Sequence, residues 1–85
     1  MISTSTLDAV RDILVDALGL HDRADSITEA TPLFGTMPEF DSLAIVEVVT
    51  LLEERFGFEM DEEDITGEVF DSVGSLAAYV DEHRP

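Results

Sequence analysis

The sequence contains neither cysteine nor lysine, and its strongly basic residues are four arginines set against 20 aspartates and glutamates. Without cysteine the chain forms no disulfide and offers no thiolate for catalysis or for a metal, which is typical of proteins from a reducing compartment. The formal net charge of −16 argues against binding to nucleic acid or to an anionic membrane, since both require a basic surface. We expect basic proteins as partners.

Long apolar segments are also lacking. No apolar run approaches the roughly 18 residues of a membrane span. The N-terminal Met-Ile-Ser-Thr-Ser-Thr has no basic segment followed by an apolar one, as a secretory signal would have. We expect a cytoplasmic protein without membrane insertion, acting as a monomer.

Residues suited to catalysis or metal binding are few. His21 and His83 are the only histidines, and both are expected to be solvent-exposed polar residues. The sequence has no nucleophile elbow and no glycine-rich phosphate loop. A calcium loop beginning at Asp61 would need glycine at its sixth position, where Thr66 stands. The sequence thus predicts no catalytic residue and no metal site.

Apolar residues, 45% of the chain, recur at helical spacing over most of its length. This periodicity predicts one domain and an all-α fold, a small four-helix bundle with three longer helices and a short one. A long first loop is expected over 20–40. Within a single domain of residues 1–85, we place the helices at about 6–18, 42–56, 61–68 and 72–82.

Particular residues are suited to end or begin these helices. Gly19 is placed to end the first helix in a left-handed conformation. Asp71 or Ser72 is placed to cap the last one. The end of the short third helix is less well defined, because Gly67 disfavours helix there.

The second helix separates into two faces. Asp41 is suited to cap its N-terminus, which places Ser42 in the first turn. At about 100° per residue, the core face holds Ile45, Val48, Val49, Leu52 and Phe56. The opposite face holds Leu43, Glu47, Thr50 and Glu54, with Glu53 between the two faces. One outward leucine is therefore framed by carboxylates.

Ser42 stands out because of its surroundings. Taken alone, it is an ordinary first-turn serine beside a capping Asp41. A phosphate group on its hydroxyl would, however, lie at a helix N-terminus, where free N–H groups and the helix dipole favour an anion. A loop before the serine, an acidic face after it and a domain too small for a deep active site together suggest a carrier that presents a tethered group to enzymes.

Three segments resemble the acyl carrier protein family, and the resemblance covers nearly all 85 residues. Asp41-Ser42-Leu43 matches the family's Asp-Ser-Leu motif. Residues 27–34, Ile-Thr-Glu-Ala-Thr-Pro-Leu-Phe, resemble the loop segment ahead of that motif. Residues 51–60, Leu-Leu-Glu-Glu-Arg-Phe-Gly-Phe-Glu-Met, resemble the end of the family's second helix.

The resemblance implies a 4′-phosphopantetheine arm on Ser42, transferred from coenzyme A by a separate magnesium-dependent phosphopantetheinyl transferase, with Asp41 supporting the attachment site. The chain would carry acyl groups as thioesters between enzymes of a fatty-acid, polyketide or related pathway, and would itself catalyse nothing. The other implied partners are acyl-loading enzymes, ketosynthases or acyltransferases with basic patches. By the same resemblance, these partners would contact Leu43, Glu47, Thr50, Glu53 and Glu54.

Some apolar residues are candidates for sheltering a short acyl chain, although ordinary core packing is the favoured explanation for any one of them, and both roles are compatible. They are Phe34, Ile45, Val46, Val49, Leu52, Val69 and Ala77. The sequence departs from the family at Glu39, where many members have glycine, and Phe40 follows it. This departure favours a specialised carrier over one for general fatty-acid synthesis.

Other functions remain open from the sequence. A carrier of the same fold could hold an amino acid or peptide, although the acidic second helix favours acyl cargo. An unmodified helical module could instead dock its acidic face on a basic partner. An independent hydrolase is the remaining alternative.

Overall fold

The structure is a computed structural model, and it describes residues 2–33 and 41–84. The described chain is helical, with no strand and one isolated antiparallel bridge between Pro32 and Ser72. Its elements in order are α1 (Thr4–Leu18), a 3-10 helix (His21–Ser26), α2 (Ser42–Phe56), a second 3-10 helix (Glu62–Asp64) and α3 (Val73–His83). The predicted all-α class is confirmed.

Helix α1 begins two residues before the predicted start, after an extended Ser3. It ends at Gly19, whose φ of 66° is left-handed, as the sequence predicts. The next residue, Leu20, folds back on the helix: its N–H donates to the Val15 carbonyl at 2.9 Å, and its side chain is buried. Glycine is suited to this position because it lacks the Cβ that disfavours positive φ.

The short third helix differs from its predicted range of 61–68. Only Glu62–Asp64 is helical, as a single 3-10 turn, and Ile65 leaves the helical conformation at φ −82° and ψ 79°. Turns follow as far as Phe70, whose N–H donates to the Thr66 carbonyl at 3.1 Å. Gly67 and Thr66 both favour leaving the helix here, and the fully buried Phe70 anchors the segment without further helix.

The core lies where the three α-helices meet, and α1 packs against both α2 and α3. Among the described residues, five of its members come from outside the helices: Leu20, Ile27, Leu33, Met60 and Phe70. The largest fully buried side chains are Phe70, Leu14, Leu33, Leu52, Leu76, Val10, Val48, Val73, Val80 and Thr6.

Side-chain hydrogen bonds hold α3 to its neighbours. The buried Thr6 hydroxyl of α1 donates to Asp81 Oδ1 at 2.8 Å, which helps to lower the pKa of Asp81. The Tyr79 hydroxyl donates to Asp64 Oδ2 at 2.8 Å and so holds the second 3-10 helix against α3. Of the described helices, none is both long and apolar enough to span a membrane.

Candidate functional site

Ser42 is the first residue of α2 and is exposed to solvent. Asp41 before it is extended and forms the cap: Asp41 Oδ1 accepts the Ala44 N–H at 2.9 Å, and the Asp41 carbonyl accepts the Ile45 N–H at 3.0 Å. The cap predicted at Asp41 is therefore present. Because Asp41 performs the capping, the Ser42 side chain is not needed for it.

The Ser42 hydroxyl makes no hydrogen bond in the part of the chain that the structure describes. Its position in the first turn places it beside backbone N–H groups that have no partner within the helix. The helix dipole adds positive potential at the same end. An exposed hydroxyl at this end of a helix is suited to carry a phosphate group, since the N–H groups and the dipole stabilise the added negative charge.

The outward face of α2, defined as Leu43, Val46, Glu47, Thr50 and Glu54, runs from Ser42 along the helix. Leu43 is 80% exposed and Val46 is 64% exposed, and these two are the exposed large hydrophobic side chains among the described residues. Glu47, Thr50 and Glu54 are also exposed. The Thr50 hydroxyl already donates to the Val46 carbonyl at 2.9 Å. Two apolar side chains are thus presented among carboxylates.

Val46 belongs to this outward face rather than with the acyl-shelter candidates among which the sequence analysis placed it. It lies three residues after Leu43, and residues at this spacing share a side of a helix. The spacing was visible in the sequence.

Glu53, predicted to contact partners, is engaged within the molecule. It is half-buried, and its Oε2 accepts the Met60 N–H at 2.8 Å. Met60 is itself buried, so this hydrogen bond holds the link after α2 against the helix. Glu47 and Glu54 have no such partner among the described residues, which leaves their carboxylates available to a partner protein.

The remaining acyl-shelter candidates that the structure describes lie in the core or pack against it. Leu52 and Ala77 are fully buried and Val49 is 8% exposed, while Ile45 and Val69 are partly buried and pack against the same cluster. Phe34 lies outside the described residues, as do Glu39 and Phe40. The structure therefore brings five of the candidates into one apolar cluster.

The sequence analysis missed a concave surface between α1 and α2. An open groove of about 310 Å³ is lined by Asp12, Ile13, Asp16, Leu51, Glu54 and Arg55. It shares only Glu54 with the outward face of α2 and contains none of the acyl-shelter candidates. Within residues 2–33 and 41–84 no group of acidic or histidine side chains is arranged to hold a metal ion.

Comparison with known proteins yields consistent matches. Residues 8–80 match the family described as phosphopantetheine attachment site. An acyl carrier protein of Clostridium perfringens (strain SM101 / Type A) is 34% identical over 76 residues, which cover 89% of this chain and 93% of that protein. One from Chlamydia trachomatis serovar L2 is 34% identical over 77 residues, covering 91% and 94% respectively.

A solved structure is also similar. The solution NMR structure of a holo acyl carrier protein from Nitrosomonas europaea superposes with a TM-score of 0.81 at 45% sequence identity. The match covers 89% of this chain and 92% of that one. The likeness therefore extends over nearly the whole chain.

Proposed function

The chain belongs to the acyl carrier protein family, and on that premise we propose that Ser42 is the residue to which its phosphopantetheine is attached. Proteins of this family carry the cofactor covalently and are not enzymes. The observation that carries the proposal is the exposed Ser42 hydroxyl at the first position of α2, where the neighbouring Asp41 forms the cap. Ser42 is thus free for chemistry without loss of the helix end.

Attachment requires that Ser42 act as the acceptor in a transfer from coenzyme A. The Ser42 hydroxyl gives up its proton to the surrounding water, and its oxygen forms a phosphodiester with the phosphate nearer the pantetheine. The P–O–P bond of coenzyme A breaks, and adenosine 3′,5′-bisphosphate leaves. This chain supplies the acceptor oxygen and the positive end of α2, which stabilises the phosphodiester charge. A separate phosphopantetheinyl transferase supplies catalysis. The thiol that the cofactor brings is one that this cysteine-free chain lacks.

The proposed cargo is an acyl group held as a thioester on that thiol. It is passed between biosynthetic enzymes of a fatty-acid, polyketide or related pathway. The cluster around Leu52 and Ala77 is apolar, which suits contact with an aliphatic chain and not with a charged amino acid. Loading of the modified protein by an acyltransferase, compared with loading by an amino-acid-activating domain, distinguishes acyl from aminoacyl carriage.

We propose that the outward face of α2 docks on basic patches of these enzymes. Leu43 and Val46 supply apolar contacts, and Glu47 and Glu54 supply negative charge. The net charge of −16 speeds the approach of a basic partner, and exposed rim charges change the association rate more than the affinity. Brief, salt-sensitive complexes suit a protein that must release one enzyme to reach the next.

The attachment site is tested by intact mass after incubation with coenzyme A, magnesium and a broad-specificity phosphopantetheinyl transferase. We expect one added phosphopantetheine on the wild type, none on Ser42→Ala and one on Ser5→Ala, which alters another exposed helical serine. Equal modification of Ser42→Ala would overturn the assignment. Circular dichroism confirms that each variant is folded.

The docking face is tested by two variants with the same change in net charge. Glu47→Lys lies on the outward face of α2, whereas Glu63→Lys lies in the exposed second 3-10 helix. We expect Glu47→Lys to raise the KM of the transferase for this protein and Glu63→Lys to leave it nearly unchanged. If both raise KM equally, overall charge and not a defined face governs recognition.

A further inference from the structure

We propose that the open groove between α1 and α2, here called the α1–α2 groove, receives an arginine side chain of the basic enzymes that dock on the outward face of α2. The proposal rests on the docking proposed above and extends it from one helix to two. The groove has a volume of about 310 Å³, and its lining residues are Asp12, Ile13, Asp16, Leu51, Glu54 and Arg55.

The α1–α2 groove combines an apolar base with a charged rim. Ile13 is buried and Leu51 is half-buried, whereas the four charged side chains are exposed. An arginine side chain has the same two parts, because its aliphatic stem lies along apolar surface while its charged head stays near water. The volume of about 310 Å³ is at the lower end of the range for small-molecule sites, roughly 300–1,000 Å³. The groove therefore suits one extended side chain.

The carboxylates of the groove have little cationic charge opposite them. Asp12 and Asp16 lie four residues apart on α1 and so share one side of it, where like charges disfavour the helix. Among the described residues Asp12 and Glu54 form no ion pair, and Asp16 has only the exposed His21 at 3.4 Å. An incoming guanidinium, with its planar fork of donors, supplies the charge that these carboxylates lack.

Arg55 is the only cation among the lining residues, and it does not neutralise the groove. Three carboxylates against one guanidinium leave a formal charge of −2, and in the described part of the chain Arg55 makes no ion pair with any of the three. Because like charges repel, Arg55 weakens the binding of a second cation. Its removal should therefore strengthen binding.

The α1–α2 groove adjoins the outward face of α2. Glu54 belongs to both surfaces, and Leu51 lies four residues after Glu47 and so on the same side of the helix. A standard protein interface covers about 800 Å² of each partner, which is roughly 30 Å across if it is round. The distance along α2 from Ser42 to Glu54 is about 18 Å at about 1.5 Å per residue. One enzyme can therefore contact both surfaces in a single complex.

The first test is an NMR titration of the isotope-labelled protein with N-acetyl-arginine N-methylamide, a single arginine with capped ends. We expect amide shifts at Ile13 and Leu51, and much smaller ones at residues 61–64, which are four consecutive acids outside the groove. Equal shifts in both places would overturn the proposal, because charge alone would then explain the binding.

Two analogues of the probe separate the head of the side chain from its stem. The citrulline analogue has the same shape without the charge, and we expect no measurable binding. The α-amino-β-guanidinopropionate analogue keeps the charge but lacks two methylene groups. If each of these is half-buried in the groove, it should bind about 4-fold more weakly than arginine. Equal binding of the short analogue would overturn the role of Ile13 and Leu51, and with it the proposal.

Three variants locate the binding by charge. We expect Asp12→Asn to weaken binding of the arginine probe by about 3-fold and Arg55→Gln to strengthen it by about 3-fold, as is usual for exposed charges. Arg11→Gln is the matched control for Arg55→Gln, since Arg11 lies on α1 but does not line the groove, and it should change binding little. Equal gains in Arg55→Gln and Arg11→Gln would mean that net charge governs binding, which overturns the proposal.

The same variants test the docking of an enzyme, through the kinetics of phosphopantetheinyl transfer. We expect KM of the transferase to rise about 3-fold for Asp12→Asn and to fall about 3-fold for Arg55→Gln, with kcat unchanged. Asp12→Asn removes the repulsion from Asp16, so its Tm should not fall, and a lost fold would not explain its higher KM. An unchanged KM in either variant overturns the proposal, even if the free arginine binds.

Failure of the proposed function gives a different result. If the wild type accepts no phosphopantetheine, the attachment at Ser42 is overturned. The titration with the arginine probe needs no modification, and it still decides whether the α1–α2 groove binds a basic side chain.

Discussion

Helices α2 and α3 both begin at an Asp-Ser pair followed by an aliphatic residue, Asp41-Ser42-Leu43 in one and Asp71-Ser72-Val73 in the other. The two pairs differ in which residue caps the helix. In α2 the aspartate is the cap and Ser42 is the exposed first helical residue. In α3 the serine is the cap: Ser72 Oγ accepts the Ser75 N–H at 3.1 Å, and Ser75 Oγ accepts the Ser72 N–H at 3.0 Å.

Tertiary contacts account for this difference. The start of α3 is covered by residues 28–33, whose Thr31 and Glu29 carbonyls accept the Val73 and Gly74 N–H groups, and Ser72 is half-buried. Ser42 remains exposed at the start of α2. A short motif therefore identifies a helix start, but only the surrounding fold decides whether its serine stabilises the helix or is available for modification.

The largest expected effect is an all-or-none difference between the two serines. Ser42→Ala loses all phosphopantetheine, and none is transferred to Ser72, because that hydroxyl serves as the cap of α3 and is not presented to an enzyme. Peptide mapping by mass spectrometry after modification locates the label. A labelled Ser72 in this variant would contradict the distinction between the two serines, since it would show that an Asp-Ser pair alone is sufficient for modification.

The stability of the fold should depend on Ser72 and not on Ser42, whereas modification depends on Ser42 and not on Ser72. Ser72→Ala removes one half of the capping box, and we expect it to cost about 1.5 kcal/mol, which lowers Tm by several degrees in a domain of this size. Ser42→Ala should change stability by no more than about 0.5 kcal/mol, as is usual for an exposed site. Urea denaturation of both variants measures the difference. Equal losses would mean that Ser42 has a structural role that its exposure does not indicate.

The start of α2 was predictable because its determinants are local. Asp41, Ser42 and Leu43 are consecutive, and the helix that follows repeats its apolar residues at helical spacing. The Gly19 terminator was found for the same reason. The assignment of Ser42 and of the docking residues to their functions stays a prediction, since the fold supports it but does not demonstrate it.

The features that the sequence did not reveal depend on residues far apart in the chain. The contact of Gly74 with Glu29 and the hydrogen bond of Tyr79 to Asp64 join segments whose proximity no local pattern encodes. The third helix was predicted too long because its acidic start favours a helix, whereas burial of Phe70 required the chain to turn. In each of these cases the structure is determined by packing between distant segments and not by local helix propensity.

A third expected effect concerns the cap of α2 itself. Asp41→Ala removes the acceptor of the Ala44 N–H and should cost about 1 kcal/mol. Asp71→Ala is the matched change at the other pair, and its effect should stay within about 0.5 kcal/mol, since no hydrogen bond is made by the Asp71 carboxylate among the described residues. Thermal denaturation of Asp41→Ala and Asp71→Ala measures the two losses of stability. A larger loss for Asp71→Ala would reverse the assignment of the two caps.

The smallest expected effect concerns Tyr79, whose hydrogen bond joins α3 to the second 3-10 helix. Helix α3 is the one that begins at the structural Asp-Ser pair. Burial raises the pKa of Tyr79, and its hydrogen bond to Asp64 raises it further, to about 12. Since the folded pKa lies above the ordinary value of about 10, the contribution to stability is complete below about pH 10 and is lost as pH rises through about 12.

Tyr79 is the only tyrosine, so near-ultraviolet absorbance of tyrosinate follows its titration without interference. We expect a midpoint near 12 in the wild type and a lower one in Asp64→Ala, because that variant lacks both the acceptor and its negative charge but keeps the burial of the ring. Glu63→Ala, which removes a neighbouring charge but leaves the hydrogen bond, should keep the high midpoint. A wild-type midpoint near the ordinary value would mean that α3 and the second 3-10 helix are not joined at Tyr79 in solution. The hydrogen bonds from residues 28–33 and the capping box would then hold α3 without that contact.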